Sequence, residues 1–273
     1  MECVYGILSE YCVRTNRSLT KPVVVCCVPG FGKTTIIKLL IALKQCNIVS
    51  GTGATTDRLK SITYSDGVDP QAELNILDEF QTYKGELGIF DVVLGDPDQT
   101  TPEHRKDLPK PHFIGTVSRR LGQNTTALLS AIGYNITSEC SGDVVTFEDP
   151  YVVDPVGQVV IFQERVADLL RKHSIQFKSA LEIQGLEFAS VSVYVEYPIC
   201  SCELHSLYIA LTRHRRSLTI FLLNANPATK RSFEEHIIGI SRNCYGDCHK
   251  STTITLFTSW WRSISQAAIR WFV

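Results

Sequence analysis

Residues 23–35, VVVCCVPGFGKTT, restrict the fold more than any other part of the chain. The run 23–28 is apolar throughout, so it reads as a strand covered on both faces. It passes through Pro29, Gly30, Phe31 and Gly32 into TTIIKLLIALKQ (34–45), a helix-compatible segment. Strand, glycine loop and helix in that order make a cradle for phosphate. Gly30 and Gly32 let backbone N–H groups turn inward, Lys33 can reach the β and γ phosphates, and Thr34 can ligate Mg²⁺. Pro29, Phe31 and Thr35 complete the candidate cofactor-binding stretch. Cys27 is the departure: it stands where the pattern G-x-x-x-x-G-K-[ST] has its first glycine.

The alternation continues through NIVSG (47–51), LNILDE (74–79) and DVVLGD (91–96). Unbroken apolar strands between helical segments predict an α/β fold with parallel sheets covered by helices. The proline-rich TPEHRKDLPKPHF (101–113) reads as a linker or domain boundary. Beyond it come a helix-like NTTALLSAIGY (124–134), a strand-like VSVYVEY (191–197), a helix-like ELHSLYIALTRHR (203–215) and a strand-like SLTIFLL (217–223). Two α/β halves fit this better than one, with domains at 1–110 and 111–235 and a C-terminal extension at 236–273.

In a chain of 273 residues, 44% apolar and 20% charged residues describe a globular protein with a core rather than a disordered chain. A net charge of −1 gives no global attraction to nucleic acid, so any such binding needs a local basic groove. Ten scattered cysteines read as reduced, buried thiols of a cytosolic protein. No basic segment leads into an apolar one at the N-terminus, and no window offers 18 uninterrupted apolar residues. The sequons at Asn124 and Asn135 therefore read as chance.

Three further groups could carry chemistry. Asp78 and Glu79 end an apolar strand; beside a nucleotide, Asp78 would hold Mg²⁺ through water and Glu79 would orient and deprotonate the attacking water. Gln99, in LGDPDQ (94–99), can hydrogen-bond a γ-phosphate or that water. From the second half, Arg120 in SRR (118–120) and Arg213 in YIALTRHR (208–215) are candidate arginines for transferring phosphate, an effect worth about 10³–10⁵ in rate. Alone, each group also fits an ordinary turn or surface ion pair.

Together these residues resemble the alphavirus-like superfamily 1 RNA helicases: GFGKTT matches motif I, LDEF motif II, LGDPDQ motif III, SRR motif IV, IQGLEF motif V and YIALTRHR motif VI. The small size and the phrases PHF, QGLEF and YIALTR look most like the stand-alone movement helicases of the plant-virus triple gene block. The resemblance implies two tandem RecA-like P-loop NTPase domains with ATP, or another NTP, and Mg²⁺ between them, and single-stranded viral RNA crossing both. It makes Lys33, Asp78, Glu79, Gln99, Arg120 and Arg213 the catalytic set, Thr34 and Asp78 the Mg²⁺ pair, and places Gln184, Gly185 and Glu187 in the cleft near ribose or RNA. It also implies transport of viral RNA from cell to cell, suppression of RNA silencing, and action in host cytoplasm, at membranes or near plasmodesmata. Viral coat protein, other movement proteins, host silencing factors and further copies of the chain are the partners it suggests.

GTGATTDRLK (51–60) falls where motif Ia would meet RNA phosphates; a polar surface loop accounts for it equally well. The tail departs from the family. Trp260, Trp261, Ile264, Ala267, Ala268 and Trp271 form one helical stripe beside Arg262 and Arg270, so 256–273 could lie in a membrane interface or dock on the core. Cys244, Cys248 and His249 are a weak metal pattern. Two other functions stay open: an RNA-binding transport or silencing-suppressor protein with a vestigial ATPase, and a generic P-loop phosphotransferase.

Overall fold

The computed structural model describes residues 1–53, 56–57, 62–196 and 199–223. The readings of the tail, including the extension 236–273 and the Trp and Cys/His features, lie outside the described residues.

Helix α1 (Glu2–Tyr11) and the short strand β1 (Val13–Arg14) precede β2 (Val23–Cys27), which is buried at every position. Helix α2 (Lys33–Leu43) follows the glycine loop and buries Ile36, Ile37 and Leu40, one face at helical spacing. Next come β3 (Cys46–Ser50), an antiparallel ribbon of β4 (Thr56–Asp57) and β5 (Ile62–Thr63), then β6 (Leu74–Asp78) and β7 (Val92–Gly95). Helix α3 (Pro102–Asp107) and β8 (Phe113–Gly115) finish this half. The six-stranded sheet has the order β1-β8-β2-β7-β6-β3, parallel except at its β1–β8 edge. Burial on both faces explains the unbroken Val, Ile and Leu runs. Each such side chain stabilises the sheet by roughly 1.5–3 kcal/mol relative to exposure.

Strand β9 (Val117–Gly122) pairs in parallel with β10 (Thr137–Cys140), with helix α4 (Gln123–Ala131) crossing between them. The rest is β11 (Val144–Glu148), β12 (Gln158–Ile161), α5 (Glu164–Lys172), β13 (Lys178–Ser179), β14 (Phe188–Glu196), α6 (Leu204–Leu211) and β15 (His214–Leu223). Its five-stranded sheet is parallel throughout, in the order β11-β15-β14-β12-β13. One apolar cluster joins the two sheets, with Val25, Ile76 and Leu94 from the first and Val193, Tyr208 and Leu218 from the second half.

Three expectations change. The segment 101–113 is not a plain linker: Thr101 caps α3 through the His104 amide, Pro102 starts the helix, and β8 inserts beside β2. The first sheet thus runs past residue 110. The helix read across 203–215 stops at Leu211, where the Thr212 hydroxyl donates back to the carbonyls of Tyr208 and Ile209. Pairing with β14 then makes His214 a strand residue. Among the described cysteines, all free, only Cys12, Cys26 and Cys27 are buried; Cys3, Cys200 and Cys202 are exposed. No helix among the described residues is long and apolar enough to cross a membrane.

Candidate functional site

The carboxyl ends of β2, β6 and β7 lie side by side, the place where open parallel sheets bind ligands. From β2 the chain turns through Gly30 (φ 75°) and Gly32 (φ 116°), both left-handed. Glycine is needed twice over at position 30, because a Cβ would lie 2.6 Å from Ser118 Oγ and 2.7 Å from Arg120 Cβ. The loop is therefore roofed by β9. Arg119 donates its amide to the Gly30 carbonyl and Nη1 to the Phe31 carbonyl, each at 2.9 Å. Phe31 is buried, with its ring against Gly115. No side chain caps α2 at Gly32, which leaves the first amides of the helix, with the half-buried Thr34 and exposed Thr35, for an anion.

Around the loop, buried charges of both signs converge. Lys33 Nζ lies 3.9 Å from Glu79 Oε1. Burial opposes its charge, but Glu79, Asp96 and Asp78 outweigh burial and raise it above the usual lysine range. Asp78 accepts from Tyr64 OH and the Glu79 amide, both at 3.0 Å. Glu79 has the left-handed φ of 58°, rare for a residue with a side chain, and Gln81 Nε2 donates to its Oε2 at 2.6 Å. A charged lysine, an uncapped helix start and a neighbouring pair of carboxylates fit a nucleoside triphosphate with its Mg²⁺. Among the described residues no three His, Cys, Asp or Glu side chains are placed to hold a metal by themselves. Thr34 and Asp78 would thus share such an ion with phosphate.

The second half closes the arrangement. Asp96, 2% exposed, accepts from Gln99 Nε2 at 2.9 Å and from Tyr208 OH at 3.0 Å. Burial pushes its pKa up; Lys33 and Gln99 offset part of that. Arg213 is buried at the end of α6, donating Nε to the Ile209 carbonyl at 3.0 Å and Nη2 to Gln99 Oε1 at 3.4 Å. Gln99 is thus gripped at both ends of its side-chain amide, and Gln184 Nε2 donates to its backbone carbonyl at 3.3 Å. Arg120 pairs with Glu187 and donates Nη2 to the Thr212 carbonyl at 2.7 Å, while its Nε is buried without a partner. Burial and the neighbouring Arg213 and Arg215 push Arg120 down to about 9. That crowding of positive charge is relieved by an anion.

Of the expected residues, Lys33, Asp78, Glu79, Gln99, Arg120 and Arg213 come together. Glu187 is taken up by Arg120 and Arg215, so it holds arginines. Gly185 (φ 81°) turns in open space beside Gln184. Ser50, Gly51, Thr52 and Gly53 line a cavity of about 740 Å³ opposite Leu181, Glu182 and Gln184, which joins the motif Ia position to the motif V segment. Asp96, Tyr208 and Gln81 have no role in the sequence reading, and Arg119 enters it only as the neighbour of Arg120 in SRR. Tyr208 had a signal: a tyrosine inside the otherwise apolar run 207–211 needs a partner for its hydroxyl.

An α/β protein with a phosphate-binding loop at the carboxyl edge of a parallel sheet is the class that this fold and site define. Over residues 23–222 the chain matches the family described as the viral superfamily 1 RNA helicase core domain. The movement and silencing protein TGBp1 of Chrysanthemum virus B is 33% identical over 232 residues, covering 83% of this chain and 98% of that protein. That of Apple stem pitting virus (isolate PA66) is 32% identical over 227 residues, 81% and 99% of the two chains. Among solved structures, the PRRSV helicase superposes with a TM-score of 0.53 at 17% identity, a likeness of fold. It covers 82% of this chain, which spans 56% of that helicase. The chain belongs to the viral superfamily 1 RNA helicases and, within them, to the TGBp1 movement and silencing proteins.

Proposed function

We infer that the chain is an RNA-stimulated NTPase that remodels or unwinds RNA while moving viral RNA between cells and countering RNA silencing. The two parallel sheets are tandem RecA-like units, the first extended through β8 beyond residue 110 and the second within 111–235. One observation carries this reading: Arg213 and Tyr208 of the second half hold Gln99 and Asp96 of the first. A phosphotransferase would need an acceptor pocket where these contacts lie, and a pure binding protein has no use for two buried arginines beside a lysine.

Lys33 and the loop amides bind the triphosphate, ATP or another NTP. Mg²⁺ held by Thr34 and Asp78 would draw charge from the phosphate oxygens. Glu79 accepts the proton of the attacking water at its carboxylate, and Gln99 orients that water. Arg120 and Arg213 answer the charge that develops on phosphate, and Glu187 aims Arg120. Single-stranded RNA would meet the cavity between 50–53 and 181–184 through hydroxyl and backbone groups and Lys84, since Asp66 and Glu182 in the same lining leave it without a basic groove. Work in host cytoplasm, at membranes or near plasmodesmata, with coat protein, other movement proteins, silencing factors or further copies, belongs to the same proposal.

The test is NTP hydrolysis by the parent chain and Lys33→Ala, with and without single-stranded RNA. Hydrolysis that RNA stimulates and that falls by at least about 10²-fold in the variant is expected. RNA binding without hydrolysis in either chain would leave only the transport reading, and phosphate delivered to a nucleoside would replace it with a kinase.

A further inference from the structure

Cys200 and Cys202 stand apart from the nucleotide chemistry, on the turn that leads into α6. Both are free and exposed, and Cys202 Sγ donates to Cys200 Sγ at 2.8 Å. Cys200 caps the single 3-10 turn Ser201–Glu203: its sulfur accepts the Glu203 amide, and the Glu203 carboxylate accepts the Cys200 amide at 2.9 Å. One sulfur therefore sits among several donors while the other faces it. Hydrogen bonds from the Cys202 thiol, the Cys202 amide and Ser201 hold Cys200 below the usual thiol range, against the charge of Glu203. The reciprocal bond and burial push Cys202 up. The Glu203 carboxylate is also bonded by Gln163 Nε2 at 3.2 Å. His205, whose Nε2 meets Ser206 Oγ at 3.1 Å, is a further titratable group beside the turn, with Glu103 near it. Two accessible thiols facing each other, one of them drawn toward its thiolate, are the arrangement of a reactive cysteine and its resolving partner.

We propose that Cys200 and Cys202 form a redox-active dithiol that reacts with peroxides, Cys200 attacking and Cys202 resolving. The Cys200 thiolate attacks one peroxide oxygen: an S–O bond forms, the O–O bond breaks, and hydroxide leaves. The sulfur is oxidised by two electrons to the sulfenic acid. Cys202 then gives up its proton and attacks that sulfur; an S–S bond forms, the S–O bond breaks, and the departing hydroxide takes the proton as water. Two thiols and one hydrogen peroxide become one disulfide and two waters.

The test treats the reduced full-length chain with equimolar hydrogen peroxide, followed by intact-mass measurement and non-reducing peptide mapping. Loss of two hydrogens from the peptide holding 200–202, reversed by dithiothreitol, is expected. Cys3, exposed but outside any such pair, is the internal reference, and Cys200 should oxidise at least about tenfold faster. In Cys202→Ser the sulfenic acid should persist at Cys200 and take up dimedone. Equal rates at Cys3 and Cys200, or sulfenic acid accumulating in the parent chain without a disulfide, overturns the proposal. Both readouts come from the unsubstituted protein, so a variant that fails to fold does not blunt them.

Discussion

At the level of single residues, Cys27 shows why the loop tolerates its missing first glycine. It is the last residue of β2, paired with Gly115 and 2% exposed. Among the described non-glycine residues only Glu79 and Ser174 have positive φ, so position 27 has no use for glycine's conformational freedom. The left-handed turn begins at Gly30. Replacing Cys27 by glycine removes a buried side chain and adds freedom to the unfolded chain, so Cys27→Gly should cost about 1–2 kcal/mol in urea unfolding. Nucleotide affinity, read by titration of a fluorescent analogue, should stay within about twofold, since the contacts made from Gly30 onward persist. Markedly tighter binding would mean that the thiol strains the loop. The strand, glycines, lysine and threonine were legible here because each has a local cause. The backbone of Glu79 was not, because its left-handed conformation is imposed by what surrounds it.

Among the elements, the long apolar strands and α2 could be read from pattern, whereas β9, β10 and β11 could not. β9 buries Ser118, Leu121 and Gly122 with no regular alternation, and neither β10 nor β11 has a buried position. Long-range polar bonds place them instead. Asp143 accepts the amides of Gly122, Asn124 and Thr125 at 3.2, 3.1 and 3.3 Å, together with the Thr125 hydroxyl, and lies 3.2 Å from His214 Nε2. It thus caps α4 from outside and ties β9 to the start of β15. Burial would raise its pKa, but the bonds from His214, Thr125 and the amides outweigh that and hold it at about 2. Since the folded value lies below the unfolded one, the stabilisation is full above about pH 5 and is lost as pH falls from about 4 toward 2. Asp143→Asn should therefore destabilise the chain by roughly 2 kcal/mol at pH 7. Chemical denaturation between pH 7 and pH 3 should show the gap between variant and parent narrowing with acid; a gap independent of pH would mean that shape, not charge, makes the cap.

For the molecule as a whole, motif order told which residues matter, and the pairing between halves told how they meet. Asp96 and Tyr208 are 112 residues apart in sequence and hydrogen-bonded at 3.0 Å, a partnership that no local pattern encodes. Arg213 is the sharpest case. Its Nε and Nη2 bond the Ile209 carbonyl, Thr212 Oγ1 and Gln99 Oε1 from a site 3% exposed. Burial lowers its pKa, with Glu79 and Asp96 offsetting part of that. A lysine there would keep the charge but could not span these acceptors as the planar fork does, and it would lose its proton more readily when buried. Under the NTPase reading, Arg213→Lys should lower RNA-stimulated turnover by at least about 10²-fold while nucleotide affinity falls less than about tenfold, because Lys33 and the loop amides bind from the first half alone. Turnover and affinity falling together would make Arg213 a plain binding contact. Unchanged turnover would mean that the two halves do not complete one site.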